Sequence, residues 1–223
     1  MSFRYRLSIM IMRVHHWEAG TGKWNEGDRW RPLKDIRGAI MYVGGNVHDS
    51  DGVTLRRNHP LASIHIYEPV PAFFAELVSY WKVNNLVATF HNYGLGFFNQ
   101  TVFLSSNDTL GQSTFIMQSH SDGTNAFEVK DAASEFFRLN KKGPPVYLLH
   151  MNCEGCEWDF FESWILAGVF PHVPVIQYSL HYFPLDRPVS DVLSQYCRIH
   201  EALSKSHKLD FGPPFGWQRW TLL

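Results

Sequence analysis

Ala39-Ile40-Met41-Tyr42-Val43-Gly44-Gly45-Asn46-Val47-His48-Asp49-Ser50-Asp51-Gly52 is the stretch whose reading decides the fold. Its apolar run ends abruptly in two glycines and an asparagine. A second apolar run, Ile64-His65-Ile66-Tyr67, ends in Glu68-Pro69, close to the spacing of roughly 20 residues that separates a glycine turn from a ribose-binding acid in nucleotide folds. The first run reads as a buried parallel strand, and the glycines as a turn where backbone approaches a ligand closely. The carboxylate that closes the second strand then stands beside that turn. This is the logic of a Rossmann-like nucleotide pocket. The plainer alternative is a tight strand-to-helix turn with Glu68 as an exposed strand-end acid.

The composition permits such a core. The chain has 223 residues, 45% hydrophobic and 15% aromatic, which suggests one domain or, alternatively, one domain with additions. The expected division is an irregular N-terminal segment over 1–37 packed on a domain over 38–223. A net charge of -1 and a pI of about 6.9 give no strong field for nucleic acid or acidic lipid, so no nucleic-acid partner is expected. Arg56-Arg57 and Lys141-Lys142 read as solvated loops. No apolar run approaches the ~18 residues of a membrane span. The apolar stretch Leu7 to Met12 is short for a secretory leader and lacks a small-residue cleavage pattern after it. A cytoplasmic protein is therefore expected.

Cys153, Cys156 and Cys197 are the three cysteines, too few and odd in number for a disulfide framework. Cys153-x-x-Cys156 matches a redox pair superficially, but the neighbouring Glu154 and Glu157 oppose thiolate formation. Both are expected as small core residues. No second cysteine pair or His-Glu-x-x-His spacing is present among the twelve histidines, so no metal site is expected.

Strands and helices alternate along the chain. From Trp17 to Leu33, glycines and Pro32 interrupt Trp17, Trp24 and Trp30, giving a packed irregular segment or, alternatively, a lid. A helix is expected from His48 to Arg57, begun by Asp49-Ser50-Asp51. A second is expected over Ala72 to Asn84, where Phe73, Leu77, Tyr80 and Trp81 recur at helical spacing. Leu86 to Phe90 reads as a strand that breaks at His91-Asn92-Tyr93-Gly94-Leu95-Gly96. Thr101 to Leu104 and Thr114 to Met117 read as two short strands of a hairpin-like excursion. Phe127 to Leu139 reads as a helix, most clearly from Asp131, stopped by Gly143-Pro144-Pro145. Val146 to Met151 is the next buried strand, Trp158 to Leu166 a helix, Val173 to Leu180 a strand, Asp191 to Lys205 a helix, and Phe215 to Leu223 a final strand.

This alternation implies a parallel, helix-covered α/β sheet. Ligands bind such sheets beyond the carboxyl ends of the strands. The breaks at Gly44, Glu68, His91, Asn152 and His181 all fall there.

These segments resemble the FkbM-like branch of the S-adenosylmethionine-dependent methyltransferases. Val43-Gly44-Gly45-Asn46 is similar to that family's Asp-Val-Gly-Ala-Asn turn, and Tyr67-Glu68-Pro69-Val70-Pro71 to its Phe-Glu-Pro-x-Pro turn. Leu149-His150-Met151-Asn152-Cys153-Glu154-Gly155-Cys156-Glu157 resembles its Leu-Lys-Ile-Asp-x-Glu-Gly-x-Glu signature, the most specific match. Tyr178-Ser179-Leu180-His181 falls where Glu-x-His is common. The resemblance runs from about Gly38 to Phe183. It implies a class I methyltransferase three-layer sandwich, Rossmann-like and mostly parallel, with a reversed last strand.

The resemblance further implies S-adenosylmethionine as cofactor, held by Gly44, Gly45, Asn46, Glu68, Pro69, Tyr93 and Asn152. It implies methyl transfer to oxygen on a small-molecule or glycan-like acceptor, with His181 and Glu154 as catalytic residues. Imidazole takes a proton near neutral pH, which suits His181 as general base; a packed, hydrogen-bonded histidine is the alternative. Glu154 is otherwise a structural acid at the start of the following helix. Tyr42, Asn152 and Ser179 replace acids usual in the family, and His48 replaces a glycine. Lost carboxylates weaken the stabilisation of a cationic sulfonium, which keeps open a catalytically inactive methyltransferase-fold binding protein. A nicotinamide-dependent oxidoreductase is disfavoured by the missing Gly-x-Gly-x-x-Gly turn.

Overall fold

The computed structural model describes residues 30, 33, 35–47, 50–103, 126–180, 188–212 and 216–223. Apolar runs in this sequence are short and dense in Val, Ile, Leu and Tyr, which suits strands covered on both faces. They form β1 (Ala39–Val43), β2 (Ser63–Tyr67), β3 (Thr89–His91), β7 (Val146–Met151) and β8 (Val175–Ser179). With β9 (His207–Phe211) and β10 (Trp217–Leu222) they make a seven-stranded sheet in the order β3-β2-β1-β7-β8-β10-β9. Neighbours from β3 to β8 are parallel. Only β10 runs against its neighbours. The expected mostly parallel sheet with a reversed last strand is thus observed.

Two helical layers enclose it. Helices α1 (Ser50–Asn58) and α2 (Pro71–Val83) lie on one face, where Leu55, Leu77 and Trp81 pack on Ile40, Ile64, Ile66 and Leu148. Helices α3 (Ala132–Lys142), α4 (Glu157–Ala167) and α5 (Val189–Ser204) cover the other, where Phe136, Phe160, Phe161, Trp164 and Ile199 pack on Met41, Leu149, Ile176 and Tyr178. Burying each large side chain contributes roughly 1.5–3 kcal/mol, so both layers hold the strand ends in fixed relation. Among the described residues no helix is long and apolar enough to cross a membrane.

Several expectations are corrected. Phe127 to Asp131 belongs to a strand, β6 (Ala126–Asp131), because Phe127 and Val129 alternate inward at period two. The helix begins at Ala132, with Asp131 Oδ1 accepting the Ser134 N–H at 2.7 Å as its cap. Strand β3 starts at Thr89, since the Leu86 N–H donates to the Trp81 carbonyl at 2.9 Å and closes α2. The segment after β3 is not an open break: Gly94–Gly96 forms β4, parallel to β6, which also pairs antiparallel with β5 (Gln100–Phe103). This makes a second, three-stranded sheet. Strand β9 was not expected. The proposed strand Thr114 to Met117, and Trp17 and Trp24, lie outside the described residues.

Candidate functional site

Four parallel strands end side by side, and their following loops are tied to one another. The Gly44 and Gly45 amides both donate to the Tyr67 carbonyl, at 3.1 and 3.2 Å, and the Asn152 amide donates to the Val43 carbonyl at 2.9 Å. The Glu68 amide donates to the His91 carbonyl at 3.1 Å. Asn92 Nδ2 donates to the carbonyls of Glu68 and Pro69, at 3.0 and 3.1 Å. The sheet edge therefore presents β1, β2, β3 and β7 as one connected rim.

Glu68 is the charged centre of that rim. Its side chain is 5% exposed, which excludes the reading of an exposed strand-end acid. Its Oε2 accepts the Asn46 N–H and its Oε1 the Val70 N–H, each at 2.9 Å. Burial pushes the carboxyl above the ordinary glutamate value, and the two amides partly offset that shift. Each oxygen still has lone-pair capacity for a further donor.

The glycines are required by the protein itself. Gly44 has φ +95°, and an added β-carbon would lie 2.0 Å from the Asn152 carbonyl oxygen. On Gly45 it would lie 2.7 Å from Ile66 Cγ2 and 2.8 Å from Leu77 Cδ2. The close approaches at this turn are thus between β1 and its neighbours. Asn46 follows with φ 49°, turning its amide onto Glu68.

Beyond β7, the buried Asn152 Oδ1 has no hydrogen-bond partner among the described residues. A buried acceptor left unmet costs about 1–3 kcal/mol, so this atom at a strand end stands out from the ordinary rule that buried polar groups are paired. Glu154 has φ 56°, in the left-handed region, followed by Gly155 at 112°. The start of α4 is held by Glu157, whose Oε1 accepts the Cys153 N–H at 3.1 Å and whose Oε2 accepts the Gly155 N–H at 2.8 Å. Cys153 and Cys156 are disulfide-bonded with Cα atoms 5.5 Å apart. They are not two separate small core residues. The loop geometry, rather than thiolate chemistry, brings the sulfurs together. His181 lies outside the described residues.

Tyr93 has both its ring and its hydroxyl engaged. The hydroxyl donates to Glu135 Oε1 at 2.9 Å, and Lys130 Nζ stands 3.8 Å from the ring centre. Tyr67 donates to the same Glu135 oxygen at 2.8 Å, and Arg138 Nε and Nη2 grip the carboxylate at 2.6 Å each. Burial alone would raise Glu135, yet the hydrogen bonds from Arg138, Tyr67 and Tyr93 outweigh it and hold the carboxyl below its ordinary value. Burial pulls the His91 imidazole down to about 4. Its ring stacks on Tyr67 at 4.5 Å and bonds His65 at 3.1 Å and Tyr93 at 3.2 Å.

Sequence reasoning missed this network. The signal available was Ser63, His65 and Tyr67 at period two on β2, a polar stripe opposite Ile64 and Ile66. Tyr42 is turned away onto the other face, edge-on to His150 at 5.2 Å. His150 is stacked between Trp30 and Trp217 and bonded to Asp51 at 3.2 Å.

Comparison with solved structures identifies the fold. The methyltransferase FkbM from Methylobacillus flagellatus KT matches with a TM-score of 0.51 and 14% identity, over 82% of this chain and 43% of that one. A candidate rRNA-methylase from Clostridium thermocellum matches with a TM-score of 0.50 and 10% identity, over 88% of this chain and 92% of that one. This chain therefore spans less than half of the FkbM structure it resembles. No protein-family model matches the sequence, and no curated protein matches it. The fold is that of a class I methyltransferase.

Proposed function

We propose that the chain is an S-adenosylmethionine-dependent methyltransferase acting on oxygen of a small-molecule or glycan-like acceptor. The observation that carries the reading is the buried Glu68 carboxylate at the carboxyl end of β2, joined to the β1 turn through Asn46. In sheets of this topology that position faces a ribose.

The residues present fit the cofactor's chemistry. Glu68 offers acceptor capacity to two ribose hydroxyls. Asn152 Oδ1 is a buried acceptor without a partner among the described residues, suited to an amino group or to the positive end of the ligand. Gly44, Gly45 and Asn46 form the turn after β1, Pro69 follows Glu68 after β2, and Tyr93 follows β3 with its ring edge-on to Tyr67. S-adenosylmethionine, when bound, supplies an electrophilic methyl group. The chain's share of the work is to orient the acceptor oxygen and accept its proton. His181, two residues past β8 in the sequence, is the proposed proton acceptor, and Glu154, in the loop after β7, is the second proposed catalytic residue.

A second reading, ligand binding without turnover, is favoured by Tyr42. Its ring packs on His150, so this position supplies no carboxylate to the cofactor, and Asn152 and Ser179 are neutral.

Calorimetric titration with S-adenosylhomocysteine tests the common premise. Release of that product from S-adenosylmethionine in the presence of hydroxylated small molecules or oligosaccharides, with RNA as a comparison, separates the two readings. Absence of binding by either ligand overturns both.

A further inference from the structure

We propose that Cys153 and Cys156 form a reversible thiol–disulfide site that sets the shape of the loop between β7 and α4. Its effect on ligand affinity rests on the cofactor pocket proposed above. Its effect on the loop does not.

The pair closes a short ring across the residues that border the pocket. Between the sulfurs lie Glu154 and Gly155, both with positive φ. A non-glycine residue stays in the left-handed region only where its surroundings hold it there. Here the restraints include the S–S bond and the two amides bound by Glu157. Opening the bond removes the one covalent restraint of the turn. Glu154 then gains freedom to move toward negative φ, which re-aims its side chain.

The loop is also seated directly on the glycine turn. The Asn152 carbonyl and the Cys153 Cα lie 2.0 and 2.9 Å from the place a Gly44 β-carbon would occupy. A shift at Cys153 is therefore transmitted to Asn152 and to the β1 turn without an intervening side chain.

The two cysteines differ in burial. Cys153 is 9% exposed, whereas Cys156 is half-buried. A thiolate of a dithiol reductant attacks Cys156 Sγ, and the S–S bond breaks with its electron pair on Cys153 Sγ, which takes a proton from water. The reductant's second thiol then attacks the mixed disulfide and releases Cys156 as a thiol. The dithiol leaves as a cyclic disulfide, so two electrons and two protons pass to the protein. Cys197, exposed on α5 and free, takes no part and serves as an internal standard.

The full chain is labelled with iodoacetamide before and after treatment with a dithiol. The expected result is labelling of Cys197 alone beforehand and of all three cysteines afterwards. Amide hydrogen exchange across residues 152–158 should quicken about fivefold or more on reduction. S-adenosylhomocysteine affinity should change by about fivefold or more, the lower range for coupled sites. The double substitution C153S/C156S should behave as the reduced protein in both conditions.

Full labelling without reductant overturns the proposal. So does a disulfide whose reduction leaves both exchange and affinity unchanged. If S-adenosylhomocysteine binds in neither state, the cofactor reading fails, and hydrogen exchange alone decides the redox site.

Discussion

The carbonyl of Asn152 occupies the space that a side chain on Gly44 would need, 2.0 Å from an added β-carbon. The Asn152 amide meanwhile donates to the Val43 carbonyl at 2.9 Å. Two loops that are distant in sequence are thereby packed backbone to backbone, which fixes Asn152 beside the β1 turn.

Gly44→Ala should therefore be the more damaging of two neighbouring substitutions. The clash is with backbone and φ is +95°, so a loss of about 3 kcal/mol or more is expected. Gly45→Ala meets the side-chain ends of Ile66 and Leu77, which can shift, at about 1–3 kcal/mol. Urea unfolding of both variants checks the order.

Glu68→Gln should weaken S-adenosylhomocysteine binding about tenfold or more, since hydrogen bonds to a charged acceptor contribute roughly 1.5–3 kcal/mol. The glutamine keeps one oxygen for the amides of Asn46 and Val70 but loses the other. Calorimetry on protein shown to be folded makes the measurement. Unchanged affinity removes Glu68 from the site.

Asn152→Asp should raise affinity for S-adenosylmethionine relative to its neutral-sulfur product, by about tenfold. A unit charge about 5 Å away at an effective dielectric near 20 interacts by roughly 3 kcal/mol before solvent screening. Titrating both ligands into both proteins gives the ratio. A ratio that does not move places Asn152 away from the sulfonium.

Glu135→Ala should destabilise the fold by about 3 kcal/mol or more, because Tyr67, Tyr93 and Arg138 lose a common acceptor. Chemical unfolding would show it. Tyr67 is fully buried, so its hydroxyl has no access to water in compensation.

Stability should also fall on acidification through His91. Its imidazole titrates at 6.5 ordinarily and at about 4 in the fold. Between those values the unfolded chain binds a proton that the folded chain does not, so stability is complete above the upper value and is lost as pH falls toward the lower. His65 is lowered by burial too and acts in the same sense. Urea midpoints near pH 7 and near pH 5 should differ more in the wild-type protein than in His91→Asn.

Much of this fold is legible because its signals are local. Val43-Gly44-Gly45 gives an apolar run ending in residues that admit a sharp turn, and β1 ends there. Gly143-Pro144-Pro145 separates α3 from β7, since proline denies a helix its hydrogen bond. Phe127 to Asp131 misled because a short run with Phe127 and Val129 adjoining a strong helix pattern satisfies both periods. Its pairing with Gly94–Gly96 and Gln100–Phe103 is what made it a strand.

By itself the sequence determined the alternation of the main-sheet strands β1, β2, β7 and β8 with their helices, the turn at Gly44 and the carboxylate at Glu68, because periodicity and turn chemistry act between near neighbours. Only the tertiary structure decided that Glu68 is buried on two amides, that Glu135 gathers Tyr67, Tyr93 and Arg138, and that Cys153 meets Cys156. The first two depend on residues far apart in the chain, and the last on a left-handed turn at Glu154 that residue type does not favour. Such contacts form only once the sheet has fixed which strand ends lie side by side.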